Sequence, residues 1–155
     1  METTRHFTTT VYIVNDGATA LHEHERLGIT IPPGGHIDRD ELPHESALRE
    51  VREETGLEPT LFDDPETVDS PAGRALPQPR HHMLYDINVH DGRVGHQHID
   101  LIYYATVSSR DLSPADGEVG EDAWAWYSKA DLRQSSLDRD VVTFGCEAIR
   151  AASEL

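Results

Sequence analysis

The sequence predicts an α/β sandwich formed by a chain of 155 residues. Three observations carry that expectation. β-branched and aromatic runs of strand length recur along the chain, two longer stretches repeat apolar residues at helical spacing, and segments rich in Pro, Gly and Asp separate them. A chain of this length is expected to form one domain, 1–155, with room for a substantial core. No internal repeat or low-complexity tract interrupts it.

The elements follow in order. Phe7 to Val14 is β-branched and aromatic, a first strand ended by Asn15-Asp16-Gly17. Ala18 to His24 and Arg26 to Ile31 read as a second strand and a short third one. Pro32-Pro33-Gly34-Gly35 then breaks regular structure and supplies a turn. Pro43 suits the first turn of a helix that runs to Thr55, and Gly56 is placed to stop it. On that helix Ala47, Leu48 and Val51 lie within about 100° of one another, the stripe expected to face a sheet. Leu42, just before it, offers no side-chain cap. Thr60 to Phe62 reads as a short strand and Asp63 to Arg80 as a surface loop. Met83 to Val89 and Ile99 to Val107 form a hairpin, with Asp91-Gly92 in the connection. Ser108 to Asp122 is an acidic loop, followed by a strand at Trp124 to Tyr127 and an amphipathic closing helix over Leu137 to Ala152.

Composition narrows the function. Asp and Glu number 29 against 13 Lys and Arg, for a net charge of −16, and Lys129 is the sole lysine. Such a chain repels nucleic-acid duplexes and anionic membranes. It also repels phosphates, so any phosphate contact calls for bound cations. An acid-rich, lysine-poor surface fits a high-salt cytoplasm, where screening over about 3 Å at 1 M salt makes self-repulsion tolerable. There is no run of about 18 apolar residues to span a membrane and no signal-peptide pattern at the start. A cytoplasmic location is the default expectation. Cys146, the one cysteine, excludes an intrachain disulfide and reads as a small packing group.

The decisive segment lies between Gly35 and Leu57. Glu50, Glu53 and Glu54 stand at helical spacing i, i+3 and i+4, with a glycine turn before them and a glycine stop after. Carboxylates gathered on one side of a helix repel one another unless something cationic binds between them, and hard divalent ions take such oxygen ligands. Taken alone, three glutamates on a helix are a solvated charged face more often than a site. Here they sit inside Gly35, Glu41, Arg49, Glu50, Val51, Glu53, Glu54, Gly56 and Leu57, nine constrained positions over 23 residues. This pattern resembles the Nudix box, G-x5-E-x7-R-E-U-x-E-E-x-G-U, with U a bulky apolar residue.

The resemblance implies a Nudix-type α/β/α fold, a mixed sheet between helices, over nearly the whole chain. Trp126-Tyr-Ser-Lys-Ala-Asp-Leu132 looks like the family's tryptophan strand and the short helix after it. It also implies hydrolysis of a nucleoside diphosphate linked to another moiety, by water attack on a pyrophosphate phosphorus with Mg²⁺, or Mn²⁺ as a substitute. Glu50, Glu53 and Glu54 would be the metal ligands, and the Gly34 carbonyl a neutral one. Glu53 is the favoured general base, with Glu118 and Glu121 of the acidic loop as rival bases or extra ligands. Arg49 would orient and partly neutralise a neighbouring glutamate. Glu41 would be an outer partner that holds the loop against the helix, with Gly35 and Gly56 structural. Ser46 departs from the alanine common at its position. The substrate-binding residues and the particular nucleotide are not readable, and a homodimer stays open because the family often pairs its subunits.

Two rival functions share the fold. A nucleotide-binding sensor is expected to lose box glutamates, which are all kept here. An isopentenyl diphosphate isomerase needs a catalytic cysteine, and Cys146 falls in the closing helix. The ten histidines include His81-His82, His90 and His96-Gln-His98 around the hairpin. They read first as packing or surface residues, with substrate contact and a metal site as lesser alternatives. Trp124, Trp126, Tyr85, Tyr103 and Tyr104 invite base stacking, but strand alternation places about half of such residues in a core.

Overall fold

In the computed structural model, which describes residues 2–24, 26–63, 65 and 67–155, the elements run in the expected order. The strands are β1 (Thr4–Asn15), β2 (Ala18–His24), β3 (Ile29–Ile31), β4 (Gly34–His36), β5 (Thr60–Leu61), β6 (His81–His90), β7 (Arg93–Thr106) and β8 (Trp124–Ser128). The helices are α1 (Pro43–Thr55), α2 (Lys129–Gln134) and α3 (Arg139–Ser153). Positions 64 and 66 of the expected loop from Asp63 to Arg80 lie outside the described residues, as do positions 1 and 25.

The described strands form one mixed sheet, in which β1 and β7 run parallel and the other pairs antiparallel. Its organising feature is a fork. β1 and β2 pair only at Val14↔Thr19 and Asn15↔Ala18, across a turn whose Asp16 and Gly17 both have positive φ. The two strands then part, β3 pairs with β2, and β4 pairs with β1 through Thr10↔Gly34 and Thr8↔His36. The expected break at Pro32 to Gly35 is thus only half correct. Pro32 and Pro33, lacking N–H groups, separate β3 from β4, but Gly34 and Gly35 rejoin the sheet. The third strand is correspondingly shorter than expected, with Arg26–Gly28 in a turn. The hairpin strands are longer than expected, because pairing continues from His81↔Ile102 to His90↔Arg93 beyond the apolar positions.

Alternate residues of β1 point to opposite faces and seed two cores. Val11 and Ile13 pack with Ala20, Ala47, Val51, Tyr103, Ala105 and Trp124 under α1. Tyr12 and Val14 pack with Leu21, Ile102, Tyr104, Leu132, Phe144 and Ile149 under α2 and α3. Helices therefore cover both faces, as the α/β/α expectation requires. On α1 the fully buried side chains are Ser46, Ala47, Val51 and Thr55, whereas Leu48 is only half-buried. The contact stripe is rotated toward two small hydroxyl residues, which lets α1 lie close to β1 and β4. Leu42 supplies no side-chain cap, but its N–H donates to Glu45 Oε1 at 2.8 Å, half of a capping box. Cys146 lies on α3, half-buried beside the second core. Among the described residues no helix is long and apolar enough to cross a membrane.

Candidate active site

The close approach of α1 to the fork brings its glutamates against backbone. Gly34 N–H donates to Glu54 Oε2 at 2.8 Å. A Cβ on Gly35 would collide with the carboxylate of Glu50, so any side chain there would displace that carboxylate from its present position. Glu50 and Glu54 are 14% and 13% exposed, while Glu53 is 44% exposed, so two carboxylates are enclosed and one faces water.

Arg49 ties this group together. Its Nε and Nη2 donate to the two oxygens of Glu41 at 2.6 and 2.9 Å, a fork-to-fork pair. Its Nη1 donates to Glu50 Oε1 and Glu53 Oε2, both at 3.1 Å. Its Nη2 also reaches the His36 carbonyl at 3.3 Å. Glu41 in turn accepts the Asp38 N–H at 3.0 Å, so the loop before α1 is fastened to the arginine. The hydrogen bond from Arg49 holds the Glu41 carboxyl below its ordinary range. Ser46 donates to the His36 carbonyl at 3.3 Å and lies 3.4 Å from Thr9 Oγ1. It is a buried tie between α1, β4 and β1 that an alanine would not make.

One guanidinium does not balance this many carboxylates. Burial, joined by the nearby charges of Glu50, Glu118 and Glu53, pushes the Glu54 pKa up to about 8 against the opposing Gly34 hydrogen bond. Burial raises Glu50 as well, outweighing its contact with Arg49. His22 offers no compensation. Its Nε2 stands 3.9 Å from Glu54 Oε1, beyond hydrogen-bond range, and burial lowers its pKa. A divalent cation fits this site: the donors are hard oxygens, two of them enclosed, and the upward shifts of Glu50 and Glu54 report a shortage of positive charge.

The acidic loop joins from the far side. Ser113 N–H donates to the Thr55 carbonyl and Ala115 N–H to the Glu53 carbonyl, both at 2.8 Å, satisfying the end of α1. Gly56 has a φ of 73°, and a Cβ there would strike the Ser113 carbonyl, so this glycine both stops the helix and admits the loop. This docking places Glu118 where its charge acts on Glu50 and Glu54. Glu121 opens a 3₁₀ turn, Glu121–Ala123, and is exposed. Of the two loop candidates, Glu118 is the one whose charge acts on the cluster.

The sequence-level match extends through the fold. The family model of the NUDIX domain matches residues 4–143. The chain belongs to the Nudix hydrolase family. Among solved structures, it is similar to a NUDIX-family hydrolase from Clostridium perfringens, at 34% identity with a TM-score of 0.83, covering 96% of this chain and 99% of that one. It also shares its fold with the MutT protein of Methanosarcina mazei Go1, at 18% identity and a TM-score of 0.64, over 99% and 97% of the two chains. The Ap4A hydrolase of C. elegans is comparable, at 17% identity and a TM-score of 0.58, over 99% and 98%. Comparison with curated proteins gives no match.

Other residues of this Nudix enzyme fall where the sequence did not place them. Trp124 is buried with its ring 4.5 Å from that of His22, and Trp126 is covered by the Arg110 guanidinium at 5.3 Å. Tyr103 and Tyr104 are both buried, one in each core. His81 stacks on Phe144 at 4.4 Å and bonds to Glu147, so it belongs to the α3 side. His22 beside Glu54, and Ser113 and Ala115 at the helix end, carried no sequence signal, because only the strand fork and the loop docking bring them there.

Proposed function

We propose that the enzyme hydrolyses a nucleoside diphosphate linked to another group, with Mg²⁺ or Mn²⁺ held by Glu50, Glu53 and Glu54. The observation that carries this reading is the enclosure of Glu50 and Glu54 beside Glu53 with insufficient positive charge. A divalent ion there would neutralise the phosphate oxygens and acidify water. Arg49, fixed by Glu41, keeps the carboxylates oriented. Glu53, the most exposed of the three, accepts the proton of the water that attacks phosphorus. Glu118 is the rival for that role. The Gly34 carbonyl is a candidate neutral ligand, adjacent to the N–H that holds Glu54. Relatives whose names specify Ap4A hydrolase and UDP-X diphosphatase activity support a nucleotide-linked pyrophosphate as the substrate class.

Product release from a panel of nucleotides, with Mg²⁺ or Mn²⁺ at low and molar KCl, tests the reading. Turnover of one compound is expected to need metal and to fall by orders of magnitude in Glu53→Gln without loss of fold. Tight nucleotide binding without turnover would instead identify a sensor. We further propose that the net charge of −16 is a salt adaptation. Thermal stability should rise with KCl well above dilute buffer; a flat curve rejects the adaptation.

A further inference from the structure

Histidines far apart in the chain meet on one face of the sheet. The parallel pairing of β1 with β7 sets His6 opposite His98 and Thr4 opposite His96, and the pairing of β1 with β4 sets Thr8 opposite His36. Positions 4, 6 and 8 of a strand share a face, so their partners bring His36, His96 and His98 around His6. Ring centroids are 4.6 Å apart for His6 and His96, 5.3 Å for His6 and His36, 4.9 Å for His36 and His98, and 5.1 Å for His96 and His98. One ring nitrogen from each of His6, His36 and His96 lies within 4.8 Å of the others.

Packing alone accounts poorly for this group. His6 and His36 are exposed, so the rings bury little, and any two that protonate repel each other. Among the described residues none of the four is hydrogen-bonded to a carboxylate that would favour the charged form.

The hydrogen bonds around His96 accommodate a tautomer with a free Nε2. The single hydroxyl proton of Thr4 is directed to the Gly95 carbonyl at 3.2 Å. With that proton so placed, the ring Nδ1–H is free to donate the 2.9 Å contact to Thr4 Oγ1, a tautomer the geometry allows. A neutral His96 so arranged keeps its Nε2 lone pair unprotonated. An outer hydrogen bond of this kind, fixing one nitrogen and baring the other, is the usual support of a metal-ligating histidine.

We propose that His6, His36 and His96 form a binding site for a borderline transition-metal ion such as Zn²⁺, with His98 beside them, outside the glutamate cluster of α1. Imidazole nitrogens select such ions over Mg²⁺, which keeps to oxygen. Tetrahedral Zn²⁺ with bonds of about 2.0–2.1 Å needs nitrogens roughly 3.4 Å apart, so the rings must close slightly. Exposure of two of the three leaves their side chains room to turn. The ion joins three strands, β1, β4 and β7. It also lies back to back with the Nudix site, because the His36 backbone carbonyl is held by Ser46 and Arg49.

The test is titration of the full chain with Zn²⁺ in excess Mg²⁺, followed by calorimetry and by melting temperature. One Zn²⁺ per chain should bind and raise the melting temperature in wild type and in Glu53→Gln. Affinity should fall roughly 100-fold or more in the double variant His6→Gln/His96→Gln, with its Zn²⁺-dependent stabilisation lost. Unchanged affinity in the double variant, or loss in Glu53→Gln alone, overturns the proposal. Should the double variant not fold, electron paramagnetic resonance of Cu²⁺ bound to wild type decides. Hyperfine splitting from several imidazole nitrogens supports the site, and an oxygen-only spectrum refutes it.

Discussion

Two glutamates on opposite faces of the same sheet meet opposite fates. Glu147 of α3 takes hydrogen bonds at Oε1 from His81 at 2.9 Å and Tyr104 at 3.1 Å. Burial pushes its carboxyl up, but those two partners outweigh it and hold the group below its ordinary range. Glu54 of α1 has one backbone N–H and like-charged neighbours, and its pKa rises to about 8. The α3 side meets Glu147 with the donors of two large rings, His81 and Tyr104. The α1 side lines the contact with Ser46, Ala47 and Val51, brings the helix close, and leaves Glu54 with a single backbone donor and, among the described residues, no cationic partner in hydrogen-bond range. A group kept in an unfavourable state by the surrounding fold is a mark of function more often than of stability.

The largest expected effect is at Glu54. Glu54→Gln should lower kcat/KM by more than about 100-fold, since it removes an anionic ligand. The same change should raise the melting temperature of the metal-free protein at alkaline pH. Glu54 titrates at 4.5 ordinarily and at about 8 when folded. The folded chain therefore binds the extra proton across that window. Stability from this group is full below about pH 4.5 and is lost as pH rises through 8. Wild type should melt at a lower temperature at pH 8.5 than at pH 5.5, and the variant should lose most of that difference. A wild-type curve that is flat with pH would erase the contrast with Glu147.

Arg49→Lys should come next, with a loss of roughly 10–100-fold in activity, because an ammonium cannot reproduce the fork to Glu41 while reaching Glu50 and Glu53. Restored activity at higher metal concentration would show that the arginine acts by orienting ligands. Glu147→Gln is the smallest. It should cost about 1–2 kcal/mol of stability in denaturant titration and leave turnover unchanged, since it weakens hydrogen bonds to a charged group away from the site. A fall in turnover matching that of Glu54→Gln would break the division between the two faces.

Much of this was legible in the chain. The helix from Pro43 to Thr55, its glycine stop and the spacing of Glu50, Glu53 and Glu54 are local matters, set by residues within a few turns of one another. The Asp91-Gly92 turn and the tryptophan strand are local in the same way. The pairing of Gly34–His36 with β1 was hidden by the prolines beside it, because ladder pairing depends on a partner strand more than twenty positions away. The burial of Ser46 in preference to Leu48 was hidden too, since a helix turns to fit its sheet and not its own apolar maximum alone.

The sequence by itself determined the fold class, the family and the helical spacing of the three glutamates, because each depends on residue types at short, fixed separations. Only the tertiary structure decided that the charge of Glu118 acts on them, that Glu50 and Glu54 are enclosed while Glu53 faces water, and that His6, His36 and His96 share a face. Those facts depend on strand register, on a fork between β1 and β2, and on a loop docked at a helix end. Each is a contact between segments distant in the chain, whose free energy is paid only when the whole sheet forms.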